Sequence, residues 1–360
     1  MTLARELADT AGRPQVDKNL LINGGMNVWQ RSTLVTGIAS GSNGYDTVDR
    51  WGTYTIYSGT WTQSRSTDVP SAQGFGYSLK MDCTTIGTSG GFFGAYGYIL
   101  ISQRIEAQNL QHLLFGTSSP KSITLSFWVK SNKTGTYIVN LLRPDISNRH
   151  ISKSYTINTA NTWEKKEIVI EGDETNVIAN DNGYGIDLRF WLRAGTLYQS
   201  GTLQTSWGAP IGDQTATGQV DLSDSTDNEW YLTGCQLEVG EAATDFQFES
   251  YESVLRKCQR YYEIGKIYMS GYGLTGSTDT HCYQTVQFAS QKRVAPSITK
   301  SSTSYTNVTT SGGAVWTNPT TLDVYDDEQI HSFTAGSKIG TSSGTAILKA
   351  NYDFSADSEL

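Results

Sequence analysis

Apolar and polar residues alternate over most of this chain, and a period of two is the pattern of β-strands with one buried face. The alternation is clearest at residues 123–130, ITLSFWVK, where every second side chain is apolar. Three further segments alternate in the same way, and we expect them to be its partner strands: TYIVNLLR at 136–143, KEIVIE at 166–171 and DLRFWLR at 187–193. The region between residues 19 and 248 is therefore predicted to be built from β-sheets.

Helical periodicity occurs in two places. Residues 2–11 carry leucines and alanines at helical spacing, followed by Gly12 and Pro14 as a stop signal, so they predict a short N-terminal helix. Residues 249–262 carry apolar side chains at helical intervals, and their glutamates precede their basic residues in the order that suits a helix dipole. This second segment predicts one longer helix that connects two β regions.

Strand patterns return after this helix. The segments that carry them are YEIGKIYMSGYG at 262–273, YQTVQFASQKRVAPSI at 283–298 and TAILKANYDF at 345–354. They predict a second, smaller β domain at the C-terminal end. Residues 199–228, by contrast, are polar and rich in Gly and Asp, which favours a long surface loop.

Composition supports this all-β interpretation. At 360 residues the chain has the length of roughly two or three domains. Hydrophobic residues make up 37% and charged residues 17%, while Gly occurs 36 times. Such a composition is typical of turn-rich β proteins, because β-branched and aromatic residues suit strands and Gly, Asn, Asp and Ser suit turns. Nine Trp, 20 Tyr and 11 Phe distinguish the chain from a disordered polar one.

Charge and cysteine usage exclude several classes of partner. The net charge of −8 disfavours nucleic acid and anionic membranes as partners, and leaves neutral glycans open. No window approaches the ~20 consecutive apolar residues of a membrane helix, so we expect no membrane insertion. The start, MTLARELADTAGR, lacks the apolar core of a signal peptide, which favours synthesis in a reducing cytoplasm. Four cysteines lack CxxC spacing and are predicted to be buried thiols: Cys83, Cys235, Cys258 and Cys282.

Short matches to enzyme motifs occur in the Gly- and Ser-rich stretches. GTSGG at 87–91 and GTSSG at 340–344 fit G-x-S-x-G, and GYGLTG at 271–276 fits G-x-G-x-x-G. None of them lies between an apolar strand and a helix, as those motifs require. The four histidines lack the i, i+4 helical pairs that favour a metal cage. We therefore predict no catalytic residues and no cofactor, although the many acids leave a carboxylate pair for glycoside hydrolysis open.

One acidic run has two interpretations. It consists of Asp221, Asp224, Asp227 and Glu229. Carboxylate oxygens are ligands that Ca²⁺ prefers, so the run can be a calcium loop. Its three-residue spacing differs from the alternation of an EF-hand, which favours a solvated loop instead.

A face suited to sugar recognition is predicted on the strands, because binding sites combine aromatic rings with a few well-placed polar groups. By strand phase, one common face opposite the aliphatic core carries Trp128, Lys130, Asn140, Arg189, Trp191 and Arg193. We predict that five of them bind carbohydrate: Trp128, Asn140, Arg189, Trp191 and Arg193. The alternative is that they pack against a strand layer, a loop or another subunit, since Trp and Arg are also enriched at protein interfaces.

Two segments carry a family resemblance: NLLINGGMNVWQR at 19–31 and WYLTGCQLEVGEAATDFQFESYESVLRKCQRYY at 230–262. They are similar to receptor-binding and tail-fibre proteins of tailed bacteriophages, whose main module resembles a carbohydrate-binding jelly roll. Residues 285–360, which end in ILKANYDFSADSEL, are similar to the terminal domains of these fibres. The resemblance implies that residues 19–31 form the opening strand and that residues 230–262 contain the closing strand and the helix after it.

The resemblance also bears on metal binding. Many such carbohydrate-binding modules hold a calcium ion between acids of the opening segment and acids of the closing strand. This chain has Gly25 and Asn27 in the first place and Thr233, Gly234 and Cys235 in the second. Uncharged side chains do not offset the cost of dehydrating Ca²⁺. We therefore predict no metal at this site.

The predicted architecture is all-β with four parts: an N-terminal anchoring segment (1–18), a carbohydrate-binding-like jelly-roll β-sandwich (19–248), a connecting helix (249–262) and a smaller C-terminal β domain (263–360). The resemblance implies a non-enzymatic virion protein, a tail fibre or receptor-binding subunit that adheres to host surface polysaccharide or lipopolysaccharide. It also implies a homotrimer, with residues 1–18 bound to other tail or capsid proteins. Two alternatives stay open: a structural adaptor or decoration protein of the virion, and a polysaccharide depolymerase.

Overall fold

The computed structural model describes residues 18–88, 90–145, 147–273, 280–304, 309–310, 321–325, 330–339 and 346–360. Within it the chain divides into two compact units, Met1–Ser250 and Tyr251–Leu360, called unit 1 and unit 2 below. The helix predicted over residues 2–11 lies outside the described residues, as does nearly all of the predicted anchoring segment.

Unit 1 is built from strands. In chain order they are β1 (Leu34–Ile38), β2 (Asn43–Gly44), β3 (Gly52–Ile56), β4 (Thr60–Ser66), β5 (Ser78–Thr85), β6 (Tyr98–Glu106), β7 (Ile123–Ser131), β8 (Gly135–Arg143), β9 (Arg149–Ile157), β10 (Glu164–Ile170), β11 (Tyr184–Ala194) and β12 (Glu229–Val239). Two short α-helices, α1 (Gly91–Tyr96) and α2 (Thr196–Gln199), and a 3₁₀ helix at Ala107–Leu113 lie between them.

The strands form two six-stranded antiparallel sheets. Sheet A has the order β1-β4-β5-β12-β7-β10, and sheet B has the order β2-β3-β6-β11-β8-β9. Apolar side chains from both sheets form one core, in which Trp51, Trp61 and Trp230 are fully buried. Two sheets that enclose a shared apolar layer are a β-sandwich. The all-β jelly-roll fold predicted from the sequence is confirmed.

The predicted strand faces are confirmed, but two predicted strand pairings are wrong. The apolar positions of β7 and β11, such as Phe127 and Phe190, point into the core as their alternation indicates. However, β7 pairs with β10 and β12, whereas β8 and β11 lie in sheet B. Alternation fixes which face of a strand is buried, but in a sandwich both sheets have such a face, so it does not assign a strand to its sheet.

Residues 19–31 form a loop held against β12, not the predicted opening strand. Asn19 supplies two of the contacts, because its Nδ2 donates to the Cys235 carbonyl at 2.9 Å and its Oδ1 accepts from the Leu237 amide at 3.0 Å. Asn23, at φ 59°, has a similar role within the loop: it accepts from the Val28 amide and donates to the Val28 carbonyl. These asparagines replace the hydrogen bonds of a strand ladder.

Gly24 allows this loop to approach the closing strand. A Cβ atom there would lie 2.0 Å from the backbone oxygen of Cys235, and the Gly24 carbonyl accepts from the Cys235 amide at 3.0 Å. We expect Gly24→Ala to lower the free energy of unfolding of unit 1 by about 1–3 kcal/mol, because two backbone segments must separate. Urea denaturation measures this. Gly76→Ala is the matched control, since a Cβ at Gly76 meets no atom within 4 Å; equal stability of the two variants would contradict the expectation.

Residues 199–228, predicted to be a long surface loop, pack against the rest of unit 1. It contains short 3₁₀ helices at Gly212–Gln214 and Leu222–Asp224, and Ala216 and Leu222 are fully buried. Its acids bond within the protein, since Asp221 accepts from the Ser223 amide at 2.8 Å and Asp224 accepts from Lys133 and from Asn228. The segment covers part of the outer face of sheet B. At the edge of this sheet, the backbone amide of Ser152 in β9 donates to the Gln204 carbonyl.

Three cysteines confirm the prediction of buried thiols. Cys83, Cys235 and Cys258 are free and buried. Burial raises the pKa of Cys83 to about 11 and raises that of Cys235 well above its usual value. The thiols of Cys83 and Cys235 therefore stay protonated and unreactive at neutral pH. The side chain of Cys282 lies outside the described residues.

Unit 2 begins with α3 (Tyr251–Gln259), the predicted connecting helix, which buries Val254 and Cys258. Its described strands, in chain order, are β13 (Tyr262–Gly273), β14 (Thr280–Gln287), β15 (Ser297–Ser304), β16 (Thr309–Thr310), β17 (Thr321–Tyr325), β18 (Ser332–Ile339) and β19 (Ala346–Asp357). One sheet has β19 between β13 and β15, with β16 also paired to β19, and the other has the order β14-β18-β17. Unit 2 is thus the second β region that the sequence predicts.

Across the described parts of both units, no helix has the length and apolar character needed to cross a membrane.

Candidate functional site

An open pocket of about 210 Å³ lies on the outer face of sheet B. It is smaller than the ~300–1,000 Å³ of sites for drug-sized molecules, so it suits one small ring. The residues that line it come from β3, β6, β11 and α2: Tyr54, Tyr98, Leu100, Arg104, Asp187, Arg189, Trp191 and Tyr198.

Strand register places most of these side chains on one face. Tyr54 lies opposite Leu100, and Leu100 lies opposite Trp191, so three neighbouring strands contribute one row across the sheet. Four residues further along β6, Arg104 lies opposite Asp187. Gly52 makes room for the first ring, because a Cβ atom there would lie 2.9 Å from Cε2 of Tyr54. Antiparallel register thus builds the pocket floor from every second residue of β3, β6 and β11.

Aromatic rings form one wall of the pocket. The ring centroids of Tyr98 and Trp191 are 5.9 Å apart, those of Trp191 and Tyr198 are 5.4 Å apart, and those of Tyr98 and Tyr198 are 5.6 Å apart. Tyr198 belongs to α2, which is fixed by backbone bonds from the Tyr198 amide to the Gly195 carbonyl and from the Ala216 amide to the Tyr198 carbonyl. The three rings therefore pack as a preformed cluster.

Charged groups form the opposite wall. Asp187 is buried, and its Oδ1 accepts from the Ser102 hydroxyl at 2.5 Å. Its Oδ2 accepts from Arg189 Nε at 2.9 Å and lies 3.8 Å from Arg104 Nε. The Arg104 guanidinium also lies over the ring of Tyr54, 5.2 Å from its centroid. One carboxylate thus orients two guanidinium groups at the pocket.

The hydroxyls of two pocket tyrosines, Tyr98 and Tyr198, stay neutral. Burial raises the pKa of Tyr98, although Arg189 opposes the shift, and burial also raises the pKa of Tyr198. Both phenols therefore keep their protons at and above neutral pH and can donate as well as accept hydrogen bonds.

Two of the predicted sugar-binding residues, Arg189 and Trp191, line the pocket. Trp191 is only 3% exposed, because Tyr98 and Tyr198 pack against it. It supports the rings above it and does not present an open face itself. Its indole N–H has no hydrogen-bond partner among the described residues.

Asn140 lies on the outer face of sheet B but does not line the pocket. Arg193 is not on the predicted face, because the β-bulge between Trp191 and Arg193 pairs Arg193 with the core residue Ile99. Asn140 is buried and donates to the Ile151 carbonyl at 3.1 Å. Arg193 is buried and donates to the carbonyls of Tyr57 and Thr88. Asn140 therefore links β8 to β9, whereas Arg193 fixes the turn between β3 and β4 and the loop before α1.

The predicted grouping of Trp128 and Lys130 with the other candidates is wrong. They lie on β7 in sheet A, on the opposite side of the sandwich, because β7 does not pair with β8 or β11. A Cβ atom at Gly234 of the β12 bulge would lie 3.1 Å from Cδ1 of Trp128. Lys130 is paired with Asp68 and lies 4.1 Å from the centroid of the Tyr231 ring.

Sequence reasoning missed five polar or aromatic residues of the pocket. Three of them carried a usable signal, since the segment YILISQRIE (98–106) alternates like β7 and puts Tyr98 and Arg104 on its polar face, and Asp187 begins the predicted strand DLRFWLR. Tyr198 lies in α2 next to a loop, where no periodicity indicates direction. Tyr54 likewise lies where periodicity gives little indication of direction, because its strand β3 has only five residues.

At the site where the sequence predicts no metal, the residues form hydrogen bonds within the protein. The Asn27 amide donates to Asn23 Oδ1 at 2.8 Å, and Thr233 Oγ1 donates to the Tyr77 carbonyl at 2.8 Å. Within the described ranges, no three His, Cys, Asp or Glu side chains form a group suited to a metal ion. The absence of metal stays a prediction.

No protein-family model and no curated protein sequence matches this chain. Solved structures that match it include the enzymatically active domain of tailspike protein 4 of bacteriophage CBA120, at 14% identity and a TM-score of 0.32; the match covers 62% of this chain and 22% of that one. The xylan-binding domain CBM22-1 of Paenibacillus barcinonensis Xyn10C matches at 10% identity and a TM-score of 0.30, covering 64% and 100% of the two chains. TmCBM61 in complex with β-1,4-galactotriose matches at 10% identity and a TM-score of 0.31, covering 62% and 100%.

Proposed function

We propose that unit 1 binds carbohydrate through the tyrosine-lined pocket of sheet B. The observation that carries this proposal is the combination of half-buried rings and oriented polar groups on one sheet face. The rings of Tyr54, Tyr98 and Tyr198 provide flat apolar surface for the C–H groups of a sugar ring. Guanidinium and carboxylate groups on the facing wall provide donors and acceptors for its hydroxyls.

We propose that this site binds sugar without cleaving it. Among the described residues that line the pocket, Asp187 is the one carboxylate, and it is held by Ser102 and Arg189. Glycoside hydrolysis commonly uses two carboxyl groups about 5–10 Å apart, one as an acid and one as a base or nucleophile. The pocket lining supplies one such group, whose contacts suit it to orienting arginines.

We further propose that the protein is a tail fibre or receptor-binding subunit of a phage virion, made in the host cytoplasm, that adheres to host polysaccharide or lipopolysaccharide. The resemblance of residues 19–31 and 230–262 to such proteins supports this. The same two segments are joined in the fold by Asn19 and Gly24. As a homotrimer, the fibre would present three pockets, and linked sites gain effective concentration without new contacts.

Tyr198→Ala is expected to weaken binding of unit 1 to host polysaccharide at least tenfold, because truncating an aromatic contact at the centre of a site commonly costs about 2 kcal/mol or more. The fold should persist, since α2 is anchored by backbone bonds of Tyr198 and Gly195. Binding is measured as retention of the full chain on immobilised polysaccharide from host cells, and reducing ends are assayed in the same samples.

Trp163→Ala is the matched control, because Trp163 is a half-buried ring beside Tyr231 of sheet A, on the other side of the sandwich. It should leave retention unchanged. If Tyr198→Ala binds as well as the wild type, the pocket is not the binding site. Release of reducing ends by the wild type would show that the protein is a depolymerase.

A further inference from the structure

The pocket carries an excess of positive charge. Its charged lining residues are Arg104, Arg189 and Asp187, so two guanidinium groups share one carboxylate. The whole chain has a net charge of −8. The charge of the pocket lining is therefore opposite in sign to that of the protein, and it is set by these three residues.

A ligand that fills the pocket has to replace the remaining water at these cations. The side chains of Arg104 and Arg189 are 21% and 25% exposed. Arg104 is enclosed further by the rings of Tyr54 and Tyr184, whose centroids lie 5.2 and 4.7 Å from its guanidinium carbon. Covering a cation costs its hydration, so a ligand that brings its own negative charge is favoured over a neutral sugar.

Hydrogen-bonding groups at the pocket are also dominated by donors. The arginines donate and do not accept, and Asp187 already accepts from Ser102 and Arg189, while the neutral hydroxyls of Tyr98 and Tyr198 can do either. A ligand group that only accepts hydrogen bonds complements such a set. A carboxylate is of this kind, and its planar shape matches the fork of a guanidinium group.

We infer that the sugar unit held in this pocket carries a carboxylate, as a uronic acid does. This inference rests on the proposed carbohydrate-binding function and names the class of ligand. The pocket of about 210 Å³ takes one such ring, so an acidic polysaccharide is bound at one unit of its chain and the neighbouring units lie outside. Arg189 and Arg104 select the ligand by charge, while the tyrosine rings hold its ring face.

The test uses the full chain and pairs of polymers that differ only in charge. Polygalacturonate, alginate and hyaluronan are each compared with a carboxyl-reduced form, in which every uronate has become a neutral hexose unit. Dextran sulfate and the neutral polymers xylan and galactan complete the panel. We expect at least one uronate polymer to bind at least tenfold more tightly than its reduced form, with affinity that falls as ionic strength rises.

Arg189→Gln is expected to lower the affinity for that polymer at least tenfold. Lys165→Gln removes the same charge from β10 of sheet A and should leave the affinity unchanged. Because Arg189 contacts a buried carboxylate, the melting temperature of the variant is compared with that of the wild type. If Arg189→Gln is unfolded, Arg104→Gln replaces it, with the same expected result.

The outcomes separate this inference from the proposed function. Equal binding to a uronate polymer and its reduced form, or preference for xylan or galactan, would overturn the carboxylate inference and leave carbohydrate binding intact. Binding to dextran sulfate but to no uronate polymer would also overturn it, because charge alone would then suffice. Failure to bind any polymer of the panel would count against both proposals.

Discussion

Replacing Asp173 with alanine is expected to lower the free energy of unfolding of unit 1 by about 3–5 kcal/mol, because it leaves a buried cation without its counter-charge. The side chains of Asp173 and Arg143 are 2% and 1% exposed, and Arg143 donates to Asp173 through Nη1. Burial lowers the pKa of Arg143, and Asp173 opposes that shift. Without Asp173 the cost of burying the guanidinium is no longer offset.

The loss extends beyond one ion pair, because Asp173 organises its own loop. Arg149 donates to it through Nε at 2.7 Å and Nη2 at 3.0 Å, and the Thr175 amide donates to its Oδ1 at 3.0 Å. Arg143 in turn donates to the Thr175 and Asn176 carbonyls, and Arg149 donates to the Trp207 carbonyl. Two arginines of β8 and β9 thus tie two loops to the edge of sheet B through one carboxylate.

Urea denaturation followed by tryptophan fluorescence measures this effect, because Trp316 is the only one of nine tryptophans that follows unit 1. Glu171→Ala is the matched control. Glu171 pairs with Lys153 at 2.9 Å, but its side chain is 47% exposed, so its loss should cost about 0–1 kcal/mol. A loss below 1 kcal/mol for Asp173→Ala would show that Arg143 finds other compensation on folding.

Side-chain alternation was sufficient to predict the fold class. Leu125 on β7 and Phe190 on β11 are buried as their phase indicates, because each sheet of a sandwich has one apolar face. Strand partners were not predictable in the same way. The pairing of β7 with β12 joins residues about a hundred positions apart, and such long-range register depends on the whole topology and not on local pattern.

The candidate site was predicted in part for the same reason. Arg189 and Trp191 follow from the phase of one strand, and both line the pocket. Asn140 has the same phase but is buried and bonded to β9. The β-bulge after Trp191 takes Arg193 off that face, and no periodicity reveals a bulge. Trp128 was grouped with them only through the wrong pairing of β7. Phase therefore predicts the face of a residue only where the ladder is unbroken, and pocket membership also requires knowing what covers that face.

The resemblance of residues 19–31 to an opening strand placed this segment beside the closing strand correctly but predicted its secondary structure incorrectly. Asn19 joins this segment to the closing strand β12, as expected of an opening element. The segment is nevertheless a loop, because Asn23 and Met26 adopt positive φ and Gly24 lies directly against the Cys235 carbonyl. Asparagine side chains and glycine thus explain physically why this motif contains NGGMN.

In unit 2, Lys292→Met is expected to lower the free energy of unfolding by about 3–5 kcal/mol. The Lys292 side chain is 0% exposed, and its Nζ donates to Glu263 Oε2 at 2.6 Å and to the Gln259 carbonyl at 2.5 Å. Burial lowers the pKa of Lys292, and Glu263 opposes that shift. Methionine keeps most of the side-chain volume but leaves Glu263 buried without its cation, with the Ala289 amide donating to its Oε1 at 3.1 Å.

A second substitution distinguishes lost charge compensation from lost packing. Lys292→Met combined with Glu263→Met should recover much of the stability. Replacing both members of a buried ion pair by apolar groups is often neutral, whereas removing one member leaves the other buried without its counter-charge. Hydrogen exchange of peptides from unit 2 is the appropriate measurement, since tryptophan fluorescence reports mainly on unit 1.

Lys266→Met provides the control within the same unit. Lys266 lies 3.8 Å from Asp353, and both side chains are more than half exposed, so water already solvates each charge and the loss should be about 0–1 kcal/mol. If the double variant at positions 263 and 292 is as unstable as Lys292→Met alone, the destabilisation comes from altered packing around Lys292 and not from the buried, unneutralised carboxylate of Glu263. Recovery in the double variant would show that Lys292, in the β14–β15 connection, stabilises unit 2 chiefly by neutralising the buried Glu263 carboxylate.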